Sequence, residues 1–162
     1  MKETDRIADQ LWRSLQGEAW HGPALMELLR DVTAEEAAAR PVSAAHSIWE
    51  LVEHTTTWSR FVDGRVRGEE FEVSEAENFP AVTELSEAAW DGACLRLVSA
   101  TEALRESVVH LDEAQLEDSV NTAEGGRVSK YSLLHGLVQH NLYHAGQIAL
   151  LKRALRGQDN TV

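Results

Sequence analysis

The sequence predicts an all-α fold, a four-helix bundle with irregular loops, and three observations support this prediction. Four long segments repeat apolar residues at helical spacing. Capping-box patterns and glycines mark where several of these segments begin and end. Three prolines and ten glycines leave no room for a long flexible linker in 162 residues. We therefore expect one helical-bundle domain over residues 1–162.

The N-terminal part contains one long helix and two short elements. The long helix is predicted over residues 4–16 and ends at Gly17. After a break, Pro23 opens a shorter helical run to Val32, since proline suits a first helical turn. A capping box at Thr33 starts a short alanine-rich turn. The apolar face of the long helix consists of Ile7, Leu11, Trp12 and Leu15.

The second and third long helices follow from the same pattern. Ser47 begins another capping box and a helix that runs to about Arg67. Residues 68–83 are acidic and contain a proline, which predicts a long solvated loop, with a mobile lid as the alternative. A third long helix is predicted over residues 84–109. Its apolar positions include Leu85, Ala89, Leu95, Val98, Leu104 and Val108.

The segment between the third and the last helix changes character. Residues 112–116 are predicted to form at most one helical turn. Two valines flank the Gly125-Gly126 pair, which predicts a short hairpin or a tight loop. The last long helix is predicted from residue 129 or 130 to Leu155.

Composition and charge exclude several classes of function. A net charge of −12 repels phosphate backbones, and no run of Lys and Arg offsets it, so we expect no nucleic-acid partner. No segment approaches the ~20 apolar residues that cross a bilayer, and the N-terminus lacks a signal-peptide pattern. The lone cysteine, Cys94, excludes an internal disulfide and is expected to pack in the core. These features predict a cytoplasmic protein without a membrane partner.

Two histidines lie four residues apart in the last helix, within 139-QHNLYHAGQIALL-151. Residues at this spacing differ by about 40° on a helical wheel, so His140 and His144 share one face. Leucines occupy the same face on both sides of the pair, which places the imidazoles toward the core. Two neutral imidazoles on adjacent turns can bind one divalent metal ion. The alternative is a pair of hydrogen-bonded core histidines without a metal.

His54 is the candidate for a third ligand. Its neighbours on the helical wheel are leucine, tryptophan and phenylalanine, so His54 also faces the core. Three protein ligands leave one coordination position open, which is the pattern of a catalytic metal site. Zinc or nickel is the expected metal, with iron or copper as alternatives. The remaining histidines lie in the break, at helix ends or on another face: His21, His46, His110 and His135.

The segment 136-GLVQHNLYHAGQIALL-151 resembles the C-terminal signature of the DinB/YfiT-like superfamily, His-x-x-Tyr-His-x-Gly-Gln-Ile. The segment 46-HSIWELVEHTTTW-58 is similar to the family's second-helix segment, which carries the first ligand. The resemblance covers nearly the whole chain. It implies an up-down-down-up bundle, a three-histidine metal site at His54, His140 and His144, and a homodimer.

The same resemblance implies an enzyme that acts on small molecules. The family includes S-transferases that use bacillithiol, mycothiol-dependent isomerases, and members described only as metal-dependent hydrolases. We expect a metal-dependent S-transferase that conjugates a low-molecular-weight, bacillithiol-like thiol to an electrophile. The alternatives are a hydrolase that uses metal-activated water and a non-catalytic metal-binding stress protein. No catalytic residue beyond the metal site is identifiable from the sequence.

Three residues near the histidines are candidates for orienting a ligand or contacting substrate. Tyr143 and Gln147 could hydrogen-bond a ligand histidine or a substrate. Alternatively, Tyr143 packs at the rim and Gln147 satisfies a buried backbone group. Glu50 could accept a hydrogen bond from a ligand or act as a general base, although its place in the Ser47 capping box explains it without chemistry.

Three aromatic side chains are further candidates. Trp58 lies one turn beyond His54 and is expected to be a core residue that could also contact substrate. Trp20 and His21 lie in the break after the first helix, where they could wall a pocket mouth or recognise a thiol. The alternative for Trp20 is a plug at the end of the bundle.

Overall fold

A computed structural model describes residues 1–157, and the final residues 158–162 of the predicted domain lie outside the described part. Of the helices described, none is long and apolar enough to span a bilayer. The prediction of an all-α fold is confirmed. In chain order the elements are α1 (Glu3–Gln16), α2 (Leu25–Leu29), α3 (Ala34–Ala38), α4 (Ile48–Arg67), α5 (Glu75–Asn78), α6 (Glu87–Val109), a 3-10 turn (Glu113–Glu117), β1 (Ser119–Asn121), β2 (Arg127–Ser129) and α7 (Lys130–Gly157).

The four long helices form an up-down-down-up bundle, as the resemblance implies. Buried apolar side chains form two clusters, one at each end of the bundle. α1 and α7 run from the second cluster to the first, while α4 and α6 run from the first to the second. α4 and α6 are therefore parallel and α7 is antiparallel to α4. The first cluster includes Leu15, Leu51, Leu97 and Ile148, and the second includes Ile7, Phe61, Leu104 and Leu134.

Side-chain and backbone caps set where the central helix α4 begins and ends. The Ser47 hydroxyl accepts from the Glu50 N–H at 3.2 Å, and the Glu50 carboxylate accepts from the Ser47 N–H at 2.8 Å. Gly68 ends the helix with φ 82°, a left-handed conformation that glycine adopts without steric cost. The predicted bounds of this helix are confirmed, and they place His54 in its second turn.

The helix α2 is shorter than predicted. It ends at Leu29, and the backbone no longer continues the helix to Val32. Its cap is Ala24, whose N–H donates to the Glu27 carboxylate at 2.8 Å. Pro23 therefore lies before the cap and not in the first helical turn, which corrects the prediction.

The helix α6 begins later than predicted. The Ser86 hydroxyl accepts from the Ala89 N–H at 3.1 Å, so the helix starts at Glu87. Leu85 lies outside the helix and is 62% exposed, and Leu95 is 66% exposed. Both belong to the apolar pattern of the segment, yet neither contributes to the core, because spacing alone does not distinguish a buried leucine from an exposed one.

Of the two predicted alternatives around Gly125, the hairpin is present as the antiparallel pair β1 and β2, with Val120 opposite Val128. Gly125 has φ 80° in the turn, which is again a conformation that favours glycine. The single predicted turn before the hairpin is confirmed as the 3-10 turn. α7 follows β2 directly and continues past Leu155 to Gly157.

The acidic segment 68–83 is more ordered than a solvated loop because it contains α5. The Ser74 N–H donates to the Glu77 carboxylate at 2.9 Å, which completes a capping box at the start of this short helix. The Thr57 hydroxyl of α4 donates to the Glu77 carbonyl at 2.9 Å. Most of the segment is an exposed loop, as predicted, but it also contains a short helix that the sequence analysis did not predict, and this helix is tied to α4.

Candidate metal centre

Three histidine side chains from two helices meet at one point of the bundle. His54 comes from α4, and His140 and His144 come from α7. The His140 Nε2 lies 3.0 Å from the His54 Nε2 and 3.0 Å from the His144 Nε2. All three candidate ligand atoms lie within 4.8 Å of one another. The structure therefore brings together the three histidines that the helical wheels single out.

In two of these histidines, a hydrogen bond at Nδ1 determines that Nε2 is the nitrogen with the free lone pair. The His54 Nδ1–H donates to the Asn78 carbonyl at 2.9 Å. The His144 Nδ1–H donates to the Gln147 Oε1 at 2.6 Å. Because carbonyl and amide oxygens only accept, Nδ1 carries the proton in each neutral ring and Nε2 keeps its lone pair. Two lone pairs therefore face the shared centre.

This arrangement fits a divalent cation. A neutral His140 carries at most one N–H at Nε2. That N–H can bond to the lone pair of His54 or to that of His144, but not to both. Its Nδ1 is buried and has no hydrogen-bond partner among the described residues. Imidazole nitrogens lie ~2.0–2.1 Å from zinc, and hence roughly 3.3 Å apart in a tetrahedral site. The two nitrogen–nitrogen distances that involve His140, both 3.0 Å, are within a few tenths of an ångström of this value, and all three donors are close enough to be ligands of one metal ion.

Burial keeps the three rings neutral near pH 7. Loss of hydration is the main cause that lowers the pKa of His54 to about 4 and the pKa of His140 to about 3, and the neighbouring His144 adds to both shifts. Loss of hydration also lowers the pKa of His144, against the effect of its bond to Gln147. The neutral imidazole is the form that binds metal. The donors are therefore in their metal-binding form at physiological pH.

The acidic segment supports His54 in a way that the sequence analysis missed. Asn78 accepts from His54 with its backbone carbonyl, and its side-chain oxygen accepts from the Trp58 Nε1–H at 2.9 Å. Phe79 stacks on His54, with ring centroids 4.2 Å apart and planes 7° from parallel. The capping box at residues 74–77 was a signal for the short helix. No signal in the sequence indicated that its end would contact His54.

An open groove of about 500 Å³ lies beside the three histidines, and His144 forms part of its wall. Gln147 and Tyr143 from α7 also line it, and the Tyr143 and His144 rings meet edge to face with centroids 5.1 Å apart. His46 lines the groove and stacks on Phe79 at 3.7 Å. Sequence reasoning set His46 aside because it precedes α4. The groove can hold a small molecule next to the three histidines.

Trp58 and Glu50 do not line the groove. Trp58 borders the histidines, since its ring centroid lies 6.0 Å from that of His140. Glu50 accepts from the Ser47 backbone and pairs with the Arg40 guanidinium. These bonds occupy the Glu50 carboxylate in a helix cap and an ion pair, which agrees with the non-chemical interpretation of this residue.

Trp20 and His21 lie against a different face of α7. The Trp20 side chain is fully exposed, so it does not plug the end of the bundle. His21 lines cavities that include Leu142, and none of the three clustered histidines lines those cavities. The structure therefore does not bring Trp20 or His21 to the groove.

Replacing Gln147 with leucine is expected to weaken metal binding by about 10- to 100-fold, because it removes the oxygen that orients His144. Gln147→Glu keeps an acceptor oxygen in nearly the same volume and is expected to retain the affinity to within about threefold. Competition with a chromogenic chelator measures both affinities. Wild-type affinity in Gln147→Leu would contradict an orienting role for this bond.

Comparisons with known proteins bear on the fold and the family. A solved structure from Enterococcus faecalis, described as a conserved protein, superposes with a TM-score of 0.73 at 17% sequence identity. The match covers 97% of this chain and 99% of that chain, and it shows a shared fold. A search of curated proteins gives no significant match. The family model described as the DinB superfamily matches residues 18–148, a span that contains all three clustered histidines. The chain belongs to the DinB superfamily.

Proposed function

We propose that this protein is a metal-dependent S-transferase that joins a low-molecular-weight thiol, of the bacillithiol type, to a small electrophile. The observation behind this proposal is the cluster of three neutral imidazoles beside an open groove. Three protein ligands leave room for an exogenous ligand on a metal. A divalent ion, zinc or nickel in preference to iron or copper, would lower the pKa of a thiol bound in that position.

The chain's own residues hold the three nitrogen donors in place. His54 is fixed between the Asn78 carbonyl and the Phe79 ring, and His144 is fixed by Gln147. His54 and His144 are each only 6% exposed, so little water competes for their lone pairs. Ligands fixed in this way need no rearrangement when a substrate binds.

The thiol has to come from a second substrate because the chain's own cysteine is unsuited to the task. Burial raises the pKa of the Cys94 thiol to about 12, and the nearby Asp91 and Glu53 carboxylates add to the increase. The thiolate is the nucleophilic form, so Cys94 is inert at neutral pH. Cys94 also packs against the first apolar cluster, as the sequence predicts for a core residue.

A hydrolase that uses water as the nucleophile is the alternative at the same site. Attack by water usually needs a general base, and no Asp or Glu is among the described residues that line the groove. A thiol is far more acidic than water and needs less help to ionise. We therefore favour the thiol reaction over hydrolysis.

Turnover with a chlorinated arene tests the proposal. Metal-loaded protein, a thiol and 1-chloro-2,4-dinitrobenzene should yield the thioether at about 100 times the buffer rate or more. The sulfur bonds to the ring carbon, the C–Cl bond breaks, chloride leaves and the thiol proton passes to solvent. Metal-free protein and His140→Ala should show the buffer rate. No acceleration with several thiols would contradict the proposal; ester hydrolysis would then favour the hydrolase, and inactivity toward both would favour the non-catalytic metal-binding stress protein.

A cytoplasmic location and a homodimer belong to the same proposal. The single cysteine is consistent with a reducing compartment. The homodimer rests on the resemblance to the DinB/YfiT-like superfamily. Cell fractionation and light scattering of the purified protein test the two statements separately.

A further inference from the structure

The groove beside the three histidines has an uncharged lining. Among the described residues that form it, none is Asp, Glu, Lys or Arg. The residues with polar side chains in its lining are His46, Tyr143, His144 and Gln147. The rest of the lining is apolar, including Leu51 at the base. Such a lining is unusual for a chain in which charged residues make up 26%.

Large apolar side chains remain exposed at the rim of this groove. Leu150 is 67% exposed, Tyr143 is 64% exposed and Val42 is 49% exposed, and all three line the groove. Isolated exposed apolar residues are common, but a contiguous group around a concave surface is typical of a ligand site. The rim therefore favours a ligand that buries apolar surface.

Stacked rings form one wall of the groove. Phe79 lies between two imidazoles, with His46 at 3.7 Å and 1° from parallel, and His54 at 4.2 Å and 7° from parallel. The outer imidazole, His46, is exposed and lines the groove. Planar side chains of this kind stack with planar ligands. The wall therefore suits a ligand that contains an aromatic ring.

Three cations near the groove form ion pairs with carboxylates, and a fourth, Arg153, lines a separate cavity. Arg40 pairs with Glu50, whose carboxylate lies 3.8 Å from the His46 Nδ1. Lys152 and Arg156, which follow the groove residues along α7, both pair with Asp31. They line a separate cavity with Leu142 and Gly146. An anionic group placed in the groove would lose hydration without gaining a cationic partner.

We propose that this groove binds an uncharged aromatic ligand, which under the proposed function is the electrophile and not the thiol. Only the identification of the ligand as the electrophile rests on the proposed function. The preference for an uncharged aromatic ligand follows from the groove lining itself. The carboxylates of a bacillithiol-like thiol then lie outside the groove.

Two probes of nearly equal shape test the preference. 2-Naphthamide is neutral, and 2-naphthoate is its anionic counterpart. Calorimetric titration of metal-free, full-length protein at pH 8 is expected to give at least about tenfold tighter binding of the amide. Metal-free protein is used because a bound metal would attract the carboxylate directly. Equal affinities, tighter binding of the naphthoate, or no binding of either probe at millimolar concentration would overturn the proposal.

A matched pair of variants places the binding in the groove. Leu150→Arg adds a cation at the rim. It is expected to weaken binding of the amide by about tenfold and to strengthen binding of the naphthoate. Leu95→Arg introduces the same side chain at a leucine of nearly equal exposure, 66% against 67%, that does not line the groove. It should leave both affinities unchanged. Equal effects of the two variants, or no effect of Leu150→Arg, would contradict the assignment.

The titrations also separate this inference from the proposed function. Selective binding of the amide without metal-dependent turnover would support the groove assignment and contradict the proposal of an S-transferase. Turnover without selective binding of the amide would support the proposal of an S-transferase and contradict the groove assignment.

Discussion

Replacing His140 with alanine is expected to reduce the metal content of the purified protein from about one divalent ion per chain to none. The His140 Nε2 lies 3.0 Å from the corresponding atoms of both other histidines, so it is the donor that links them. Without it, two imidazoles from different helices remain, which is too few donors for stable binding of zinc or nickel. Elemental mass spectrometry measures the content and also identifies the metal.

His135→Ala is the matched control for this experiment. His135 lies on the same helix and is half-buried, and its ring packs beside Tyr131, with centroids 4.4 Å apart, rather than beside the clustered histidines. Its replacement should leave the metal content at the wild-type level. Circular dichroism of both variants shows whether the bundle remains folded. Wild-type metal content in folded His140→Ala protein would rule out the three-histidine site, and the histidines would then be core residues bonded to one another.

Acidification is expected to destabilise the metal-free protein more than an ordinary helical bundle. The pKa of His54 lies at about 4 and that of His140 at about 3, both below the unfolded value of about 6.5. Between pH 6.5 and about 4, unfolded chains bind protons at these positions and folded chains do not. Stability is therefore greatest above pH 6.5 and falls as the pH decreases. Between pH 7 and pH 5.5 each of the two histidines contributes a loss of about 1 kcal/mol.

Urea unfolding of metal-free protein at pH 7 and pH 5.5 measures this loss. His140→Ala provides the comparison, because it removes one depressed group and leaves the carboxylates unchanged. The variant should lose about 1 kcal/mol less than the wild type over this interval. An identical loss in both proteins would show that His140 does not enter the folded state as a neutral, buried imidazole.

The part of the site on α7 was predictable from local sequence. A helix turns about 100° per residue, so the spacing of His140 and His144 places both on one face whatever the rest of the chain does. The neighbouring leucines then identify that face as the buried one. His54 needed more, because its face is predictable but the identity of the helix it meets is not. Its inward face made His54 the candidate third ligand, the family resemblance implied the same three residues, and the structure shows that the three side chains converge.

The support around the site was not predictable in this way. α5 has only four residues, and its capping box indicates a helix without indicating where it packs. Asn78 offers its backbone carbonyl to His54, a function that any residue type could perform. His46 reaches the groove because the chain before α4 folds back against Phe79. These contacts depend on loop paths, for which residue spacing carries little information.

By itself, the sequence determined the long helices, the caps of the central helix and the imidazoles that face inward. These features depend on residues within a few positions of one another, where backbone geometry is nearly constant. Only the tertiary structure decided that Asn78 and Phe79 hold His54 and that His46 and Tyr143 share one uncharged groove. Those contacts join residues far apart in the chain, so they depend on how whole helices and loops pack against one another.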